Sequence, residues 1–545
     1  MITNPILSGF NPDPCICRVG DDYYIATSTF EWFPGVQFHH SKDLVNWRLL
    51  GQALDRPSQL NMRGLPHSGG VWAPALSYAK GQFWLIYTVV QSHGGPVFDT
   101  PNYLVTADSI EGPWSDPVSL HSAGFDPSLF TDEDGRQYLL SMEMPEESVD
   151  GWFNGIILQA YDHASRSLDP QVHRIWKGTE LGVTEGPHLM RKDGYYYLIT
   201  AEGGTGLKHA VSISRSRQLL GPYETAPDNP MLTAHLVSDT PLHSTGHGNF
   251  VETQNGEWYF VHLCTRPLLR RGQEPIIYGN DSVFMEHYSA VLGRETAIQR
   301  IQWPTGEWPR LASGGRVPEL TVAAPKLPPY PFDEPLFGFR DDFEQSPYSK
   351  HFQTLREPAD ADWLRLEEGR LKLRGRQSLH SQFEQSMLVC RLQNLDADFE
   401  TCLSFPDIGF RKSAGLIIYT DRLTYQYLRV TQTEDGQTRL GVQQALNGST
   451  CTSDVFLKTC PAKLWLRLRV RGASLFFDWS TDGSEWISIK GDFASTDLGN
   501  WAEGTLGEFT GTFVGLAAQD TIHQSAWAEF QFFAYRPRAC NEIQN

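Results

Sequence analysis

Apolar and polar residues alternate along most of the chain with the period of two that is typical of β-strands. Five stretches repeat one pattern: a short element rich in Gly, Pro or Asp, a short strand, a polar turn, and a strand rich in aromatic and β-branched residues. The five stretches are residues 11–28, 71–90, 124–142, 184–204 and 245–263.

The spacing of these repeats predicts the fold of the N-terminal part. Their turn residues lie 54 to 62 residues apart, which leaves room for about four short strands in each interval. The turn residues are Asp22, Gly81, Gly135, Gly194 and Gly256. Five units of four strands are typical of a five-bladed β-propeller, whereas the repeats of a β-solenoid, the alternative, are usually shorter.

The repeat ends before a proline-rich segment, residues 317–339, whose six prolines predict a semi-rigid connection. Alternation resumes from about residue 341 without a helical period, which is typical of a β-sandwich. We therefore predict an all-β chain with a propeller over residues 1–320, a linker over 321–338 and a β-sandwich over 339–545.

One position of the repeat holds residues that are suited to catalysis or to metal binding. Eight or nine residues before the turn residues stand Asp13, Ala73, Asp126, Glu185 and His247. Equivalent positions on the innermost strands of a propeller converge on its axis, so three carboxylates and a histidine should meet there. Such a group suits either a metal site with oxygen ligands and a histidine nitrogen, or general acid and base catalysis.

The neighbours of these carboxylates favour catalysis, because proline restricts the backbone that holds a reacting group. Asp13 and Asp126 each precede a proline, and Glu185 precedes Gly186 and Pro187. Taken singly, Asp13 and Asp126 are also ordinary turn formers, and His247 is also an ordinary core residue. The argument for a functional site is that the repeat places all of these residues together at the propeller axis.

Composition and charge restrict the classes of function that the chain can have. The 545 residues carry a formal net charge of −19, which excludes a protein that neutralises nucleic-acid phosphates. No run approaches the roughly 20 apolar residues of a membrane span, and the first residues lack a secretory signal pattern. The eight cysteines form no C-x-x-C pair and are expected to be reduced. We expect a cytoplasmic protein that acts on a neutral ligand, without membrane or nucleic-acid partners.

Several long stretches resemble the β-xylosidases of glycoside hydrolase family 43. The resemblance covers the N-terminal 300 residues, and the C-terminal half resembles the concanavalin-like sandwich of the two-domain members. The stretches that carry it include "NPILSGFNPDPCICRVGDDYYIATSTFEWFPGVQFHH", "HSGGVWAPALSY", "GFDPSLFTDEDGRQYLL", "TEGPHLMRKDGYYYLITAEGGT", "TGHGNFVET" and "VLGRETAIQ".

The resemblance implies a five-bladed propeller and single-step hydrolysis with inversion at the anomeric carbon. It assigns Asp13 as the general base that activates water and Glu185 as the general acid that protonates the leaving oxygen. It assigns Asp126 as the carboxylate that raises the pKa of the acid and orients it. An inverting pair of carboxyl groups stands about 6.5–9.5 Å apart to admit the water.

The resemblance also implies the substrate contacts. It makes Phe30 and Trp72 walls of a terminal sugar pocket, although both could equally be packing residues. It makes Arg294 a hydroxyl-binding cation, puts His247 near the acids, and offers Thr205 as a weaker candidate. Phe509 matches an aromatic residue of a sandwich loop that closes the pocket.

These implications predict an exo-acting xylan 1,4-β-xylosidase that acts on β-1,4-xylooligosaccharides. An α-L-arabinofuranosidase, alone or as a second activity, is the alternative enzyme, and a non-catalytic sugar-binding propeller is the alternative from another class. No obligatory cofactor is expected, with a structural calcium ion near His247 left open, and two-domain relatives suggest a dimer or tetramer. Residues 141–153 depart from the family pattern, which leaves the preferred chain length open.

Overall fold

The computed structural model describes residues 1–94, 97–145, 153–237, 240–276, 280–333, 337–499 and 509–538. Within these ranges the chain is almost entirely antiparallel β-structure, with one short α-helix, Asp281–His287, and one 3-10 turn, Ser495–Asp497. No helix of the described ranges has the length and apolar character needed to cross a membrane. Part of the segment that departs from the family pattern, residues 146–152, lies outside the described residues.

Five antiparallel sheets follow one another in the N-terminal part of the described chain. The first contains Cys15–Val19, Asp22–Thr27, Gly35–Ser41 and Arg48–Leu54. The second contains Gly70–Ala79, Gln82–Val90, Asn102–Ala107 and Val118–Ser119. The third contains Ser128–Thr131, Gln137–Met142, Ile156–Asp162, Ser167–Leu168 and His173–Trp176. The fourth contains Glu185–Lys192, Tyr195–Glu202, Ala210–Ser216, Glu224–Thr225 and Leu232–Thr233. The fifth contains His243–Glu252, Trp258–Thr265, Glu295–Gln302 and Arg310–Leu311.

The first strands of the five sheets form a closed ring. Each lies at one edge of its sheet and contacts the first strand of the next sheet, and the fifth contacts the first. Their axial ends are buried because neighbouring sheets cover both faces. The ring therefore brings the equivalent positions of the repeat to one central axis.

Two pairs of short strands lie outside the five sheets. Ile2–Thr3 pairs with Thr321–Val322, two residues that the sequence places in the linker. Leu268–Leu269 pairs with Tyr288–Ser289 beside the helix.

Two larger sheets pack face to face in the C-terminal part. One contains Phe339–Asp341, Leu364–Glu367, Arg370–Arg374, Asp396–Ser404, Leu464–Arg471, Ser474–Ser480, Ile487–Ser488 and Trp527–Pro537. The other contains Ser386–Arg391, Lys412–Asp421, Thr424–Gln432, Thr438–Leu446, Ser449–Leu457 and Phe513–Asp520. Strand Leu464–Arg471 reads "LWLRLRVR", and every second side chain is buried in the core between the sheets. The predicted all-β class, propeller and sandwich are confirmed.

The two parts share an extensive interface. Trp32–Phe33 of the propeller pairs with Thr354–Leu355, and the Trp32 ring stacks on Phe513 of the sandwich with centroids 3.9 Å apart. Arg391 donates from Nε to the carbonyl oxygen of Phe10 at 2.6 Å. The sandwich thus contacts the chain just before Asp13.

Candidate active site

A cavity of about 320 Å³ opens at the axis of the ring and is lined by residues of both domains. All nine residues that the sequence selects line it: Asp13, Phe30, Trp72, Asp126, Glu185, Thr205, His247, Arg294 and Phe509. Ala73, the fifth residue at the repeated position, lines it as well. The ring of first strands is what brings together residues that lie up to 496 positions apart.

The backbone at the repeated position adopts a rare conformation. Asp13 and Asp126 both have φ of 54°, and His247 has φ of 39°. A side chain in this left-handed region costs about 1–3 kcal/mol and persists where the surrounding structure enforces it. In the fourth sheet Gly186 takes the positive φ, and a Cβ there would lie 2.9 Å from the His247 ring. Glycine after Glu185 therefore allows the close packing of two repeats.

Asp13 is held through both carboxylate oxygens. Arg294 Nη1 donates to Oδ1 at 2.7 Å, and Ser28 Oγ donates to Oδ2 at 2.6 Å. Only 3 % of Asp13 is exposed, so the partners and not the solvent fix its orientation. Each carboxylate oxygen can accept a further hydrogen bond, as a base that receives a proton from water needs.

Asp126 and Glu185 form an interacting pair. The amide N–H of Gly186 donates to Asp126 Oδ2 at 3.1 Å, and His247 Nδ1 lies 3.8 Å from the same oxygen. Burial and then repulsion by Asp13 raise the pKa of Asp126 to about 8, against the opposing effects of the Gly186 amide and Arg294. Burial and then repulsion by Asp126 and Asp13 raise the pKa of Glu185 well above its ordinary value. The pair therefore retains a proton near neutral pH, as a general acid requires.

His247 contributes as a neutral group. Burial lowers the pKa of its imidazole, and Arg294 lowers it further, while Asp13 acts in the opposite direction. The neutral ring adds no charge to the pair of carboxyl groups beside it.

Aromatic rings form one wall of the cavity. The ring centroids of Phe30 and Trp72 are 5.8 Å apart, and the Phe509 ring lies 5.4 Å from that of Trp72. Ser68 fixes two of these residues: its carbonyl accepts from Trp72 Nε1 at 2.8 Å, and its Oγ accepts from the Phe509 amide at 2.8 Å. Phe509 of the sandwich is thereby tied to the propeller loop.

Several residues that line or support the cavity are not predicted from the sequence. Ser28 and Ser68 hold site residues, and four further aromatic side chains line the cavity: His93, Phe98, Phe125 and Phe153. Phe125 directly precedes Asp126, so the repeat could have indicated it. The other residues lie in positions without a repeated signal.

The described residues do not test the structural calcium ion that the sequence leaves open near His247. Among the described residues, no three His, Cys, Asp or Glu side chains are grouped to hold a metal ion. The cation that faces Asp13 is instead the guanidinium of Arg294. The expectation that no cofactor is required stays a prediction.

Buried carboxyl groups that retain a proton, beside a carboxylate held by an arginine, are the groups that glycosidases use in their active sites. Residues 2–309 match the model of "Glycosyl hydrolases family 43", and residues 340–536 match that of "Beta xylosidase C-terminal Concanavalin A-like domain". The chain belongs to glycoside hydrolase family 43, a family of inverting glycosidases.

Full-length relatives support this membership. The chain is 45 % identical to a "Xylan 1,3-beta-xylosidase" of a Vibrio species, over 98 % of this chain and 99 % of the relative. It is 42 % identical to "Xylosidase/arabinosidase 43B" of Humicola insolens, over 98 % of each chain. The crystal structure of a xylan β-1,4-xylosidase from Bacillus halodurans C-125 superposes with a TM-score of 0.91 at 44 % identity, over 98 % of this chain and 100 % of that one.

Proposed function

We propose that this enzyme is an exo-acting, inverting β-xylosidase that releases xylose from the non-reducing ends of β-1,4-xylooligosaccharides. The observation that carries the proposal is the cavity itself, where Asp13 faces a proton-retaining pair, Asp126 and Glu185. A volume of about 320 Å³ is at the small end for ligand sites, which suits a chain end rather than a continuous polymer.

The proposed reaction uses two proton transfers. Asp13 accepts a proton from a water molecule as the water oxygen attacks the anomeric carbon. The bond from that carbon to the bridging oxygen breaks, and Glu185 gives its proton to this leaving oxygen. Xylose of inverted configuration and a shortened oligosaccharide result, and exchange with solvent restores both carboxyl groups.

The remaining site residues have supporting roles in this proposal. Burial keeps the proton on Glu185, and repulsion by Asp126 adds to this once Asp126 ionises above about pH 8. The Asp126 carboxyl also orients the turn through the Gly186 amide. Phe30, Trp72 and Phe509 supply flat apolar faces for the sugar ring, and Arg294 offers guanidinium hydrogens to its hydroxyl groups. Thr205 and His247 line the same cavity and can bind further hydroxyls.

A second activity on α-L-arabinofuranosides is the alternative, and the name of the Humicola relative favours it. The linkage also needs a test, because the Vibrio relative is named for β-1,3 linkages and the solved neighbour for β-1,4 linkages. A sugar-binding protein without activity would not need a proton-retaining carboxyl pair beside a held carboxylate.

One substrate panel tests these assignments. We expect the highest kcat/KM on β-1,4-xylobiose, lower values on β-1,3-xylobiose, and the lowest on aryl α-L-arabinofuranoside. An Asp13→Asn variant serves as the inactive control for each substrate. Faster cleavage of the β-1,3 isomer or of the arabinofuranoside would overturn the proposed specificity, and equal rates in parent and control would overturn the mechanism.

We extend the proposal to assembly and compartment on the strength of the family resemblance and the sequence alone. The enzyme is proposed to act in the cytoplasm as a dimer or tetramer. Light scattering of the purified protein at several concentrations tests the assembly, and a monomer throughout would contradict it.

A further inference from the structure

The cavity of the candidate active site has a buried end and a mouth. The ionisable side chains of the buried end are each at most 7 % exposed: Asp13, Asp126, Glu185, His247 and Arg294. The lining side chains that are half-buried mark the mouth: His93, Phe98, Phe153, Val183, Thr205 and Phe509. When the end of a sugar chain is cleaved at the buried carboxyl groups, the unit that leaves lies toward this mouth.

His93 brings a polar group to the mouth. In the described lining of the mouth, only its side chain and that of Thr205 carry polar atoms. The Nε2 atom of His93 lies 2.8 Å from the carbonyl oxygen of His67. Because a carbonyl oxygen only accepts hydrogen bonds, Nε2 carries a hydrogen and donates it. The neutral ring of His93 is therefore held in one tautomer.

The other ring nitrogen of His93, Nδ1, is left as an acceptor. Burial lowers the pKa of the imidazole, while the His67 carbonyl and then Glu31 act in the opposite direction. The ring is therefore neutral near neutral pH, and Nδ1 has a free lone pair. Within the described chain Nδ1 has no hydrogen-bond partner, and it is not one of the buried atoms without a partner, so solvent reaches it.

The ring of His93 is held in place at the mouth. Three aromatic rings of the cavity wall lie beside it, with centroids 5.9 to 6.2 Å away: Trp72, Phe98 and Phe509. The residue that binds Nε2 is held as well, since His67 Nδ1 lies 2.9 Å from Oε1 of buried Glu31 and His67 Nε2 lies 3.8 Å from Oδ2 of Asp421 in the sandwich. A group that is already held loses little conformational freedom when it binds a ligand.

Building on the proposed function, we propose that His93 is a substrate-binding residue whose Nδ1 accepts a hydrogen bond from a hydroxyl group of the leaving sugar. The xylose unit that leaves from xylobiose carries three free hydroxyl groups, whereas an aryl leaving group offers no such donor. His93 therefore favours a sugar over an aryl group in the leaving position.

Two substrates with the same terminal xylose, xylobiose and para-nitrophenyl β-xyloside, test the role of His93. In His93→Phe, which keeps a ring, kcat/KM on xylobiose should fall about 3- to 10-fold further than on the aryl xyloside, as expected for one hydrogen bond. His380→Phe is the matched control, because His380 is a half-buried histidine outside the cavity, and its ratio between the substrates should equal that of the parent. Equal losses on both substrates in His93→Phe would overturn the proposal, since a ring that only packs in the wall affects both alike. A parent that cleaves neither substrate would instead overturn the proposed function.

Deoxy forms of xylobiose keep the proposal testable if His93→Phe does not fold. Each form lacks one hydroxyl group of the leaving unit, and we expect the parent to lose about 3- to 10-fold in kcat/KM on one of them. In His93→Met, a second variant without the ring nitrogens, removal of that hydroxyl should cost little more. A parent that cleaves every deoxy form as fast as xylobiose, or a His93→Met variant that loses as much on each form as the parent, would overturn the assignment.

Discussion

Ser28 Oγ donates a hydrogen bond of 2.6 Å to Asp13 Oδ2, on the side of the carboxylate that Arg294 leaves free. Ser28 follows the strand Asp22–Thr27 and is fully buried, so its hydroxyl has a fixed position. The carboxylate is therefore oriented by one neutral and one charged donor. Its proposed role as a base depends on that orientation as much as on its charge.

Replacing Ser28 by alanine should lower kcat on xylobiose by about 10- to 100-fold, since a hydrogen bond to a charged group is lost. KM should change little, because Ser28 does not line the substrate cavity. Steady-state kinetics gives both parameters. Ser28→Thr keeps the hydroxyl and is the matched control that should recover most of the rate. Equal kcat in Ser28→Ala and the parent would show that Ser28 does not orient Asp13 for catalysis.

The proposed acid can be tested through the leaving group. Glu185→Gln should lower kcat on xylobiose by about 10²–10⁴-fold, because the departing sugar alkoxide needs a proton. An aryl β-xyloside with an acidic phenol needs far less protonation, so its loss should be much smaller. Asp13→Asn should slow both substrates alike, since water activation precedes either departure. Equal losses on the two substrates in Glu185→Gln would contradict the assignment.

Asp126 should stabilise the folded protein less as the pH rises. The ordinary carboxyl of the unfolded chain loses its proton near pH 4, whereas in the folded protein Asp126 keeps it up to about pH 8. Because the unfolded state releases the proton first, stability falls as pH rises through this window. Asn does not titrate, so Asp126→Asn should be the more stable protein at pH 8, by on the order of 1–4 kcal/mol, and similar to the parent at pH 4.

Urea unfolding at pH 4 and pH 8 measures this difference, with Asp435→Asn as the control at an exposed carboxylate. Above about pH 8 the same variant should lose activity at a lower pH than the parent, because ionised Asp126 no longer raises the pKa of Glu185. A stability difference that is the same at both pH values would contradict the raised pKa of Asp126.

Phe509 should act mainly on substrate binding. Its ring packs against Trp72, so Phe509→Ala opens the wall of the cavity. Its main-chain carbonyl accepts from Arg294 Nη2 at 3.4 Å, and alanine keeps that carbonyl. We expect KM for xylobiose to rise by about 10-fold, which corresponds to the loss of one aromatic contact. Phe456→Ala in the same sandwich is the control, because that side chain is 62 % exposed and lies outside the cavity. An unchanged KM in Phe509→Ala would exclude Phe509 from the sugar site.

The sequence predicts the meeting of Asp13, Asp126, Glu185 and His247 because the repeat alone sets their equivalence. It does not predict the left-handed backbone at three of these residues, which depends on how neighbouring sheets pack. Nor does it indicate Ser28, a serine at a strand end with no special spacing. The pairing of Phe339–Asp341 with Trp527–Pro537 joins segments almost 200 residues apart, and no local pattern records such a contact.

The interface between the domains is the part that sequence patterns describe least. Arg391 is the last residue of a strand, Ser386–Arg391, that is buried along its whole length, and its side chain reaches the propeller beside the loop of Asp13. Long polar side chains at strand ends give no periodic signal. Their partners are fixed only when both domains have packed.

The anomeric form of the first product tests the central claim most directly. Xylobiose is digested with enough enzyme to outpace mutarotation, and the anomeric protons are followed by NMR from the first minutes. With Asp13 as base and Glu185 as acid on opposite sides of the bond, the xylose released from the non-reducing end should appear first as the α-anomer and equilibrate later. If the xylose from the non-reducing end appeared first as the β-anomer, in excess of the β-xylose that the reducing end of xylobiose contributes, the account would be contradicted, because retention would require a covalent intermediate and a carboxylate nucleophile.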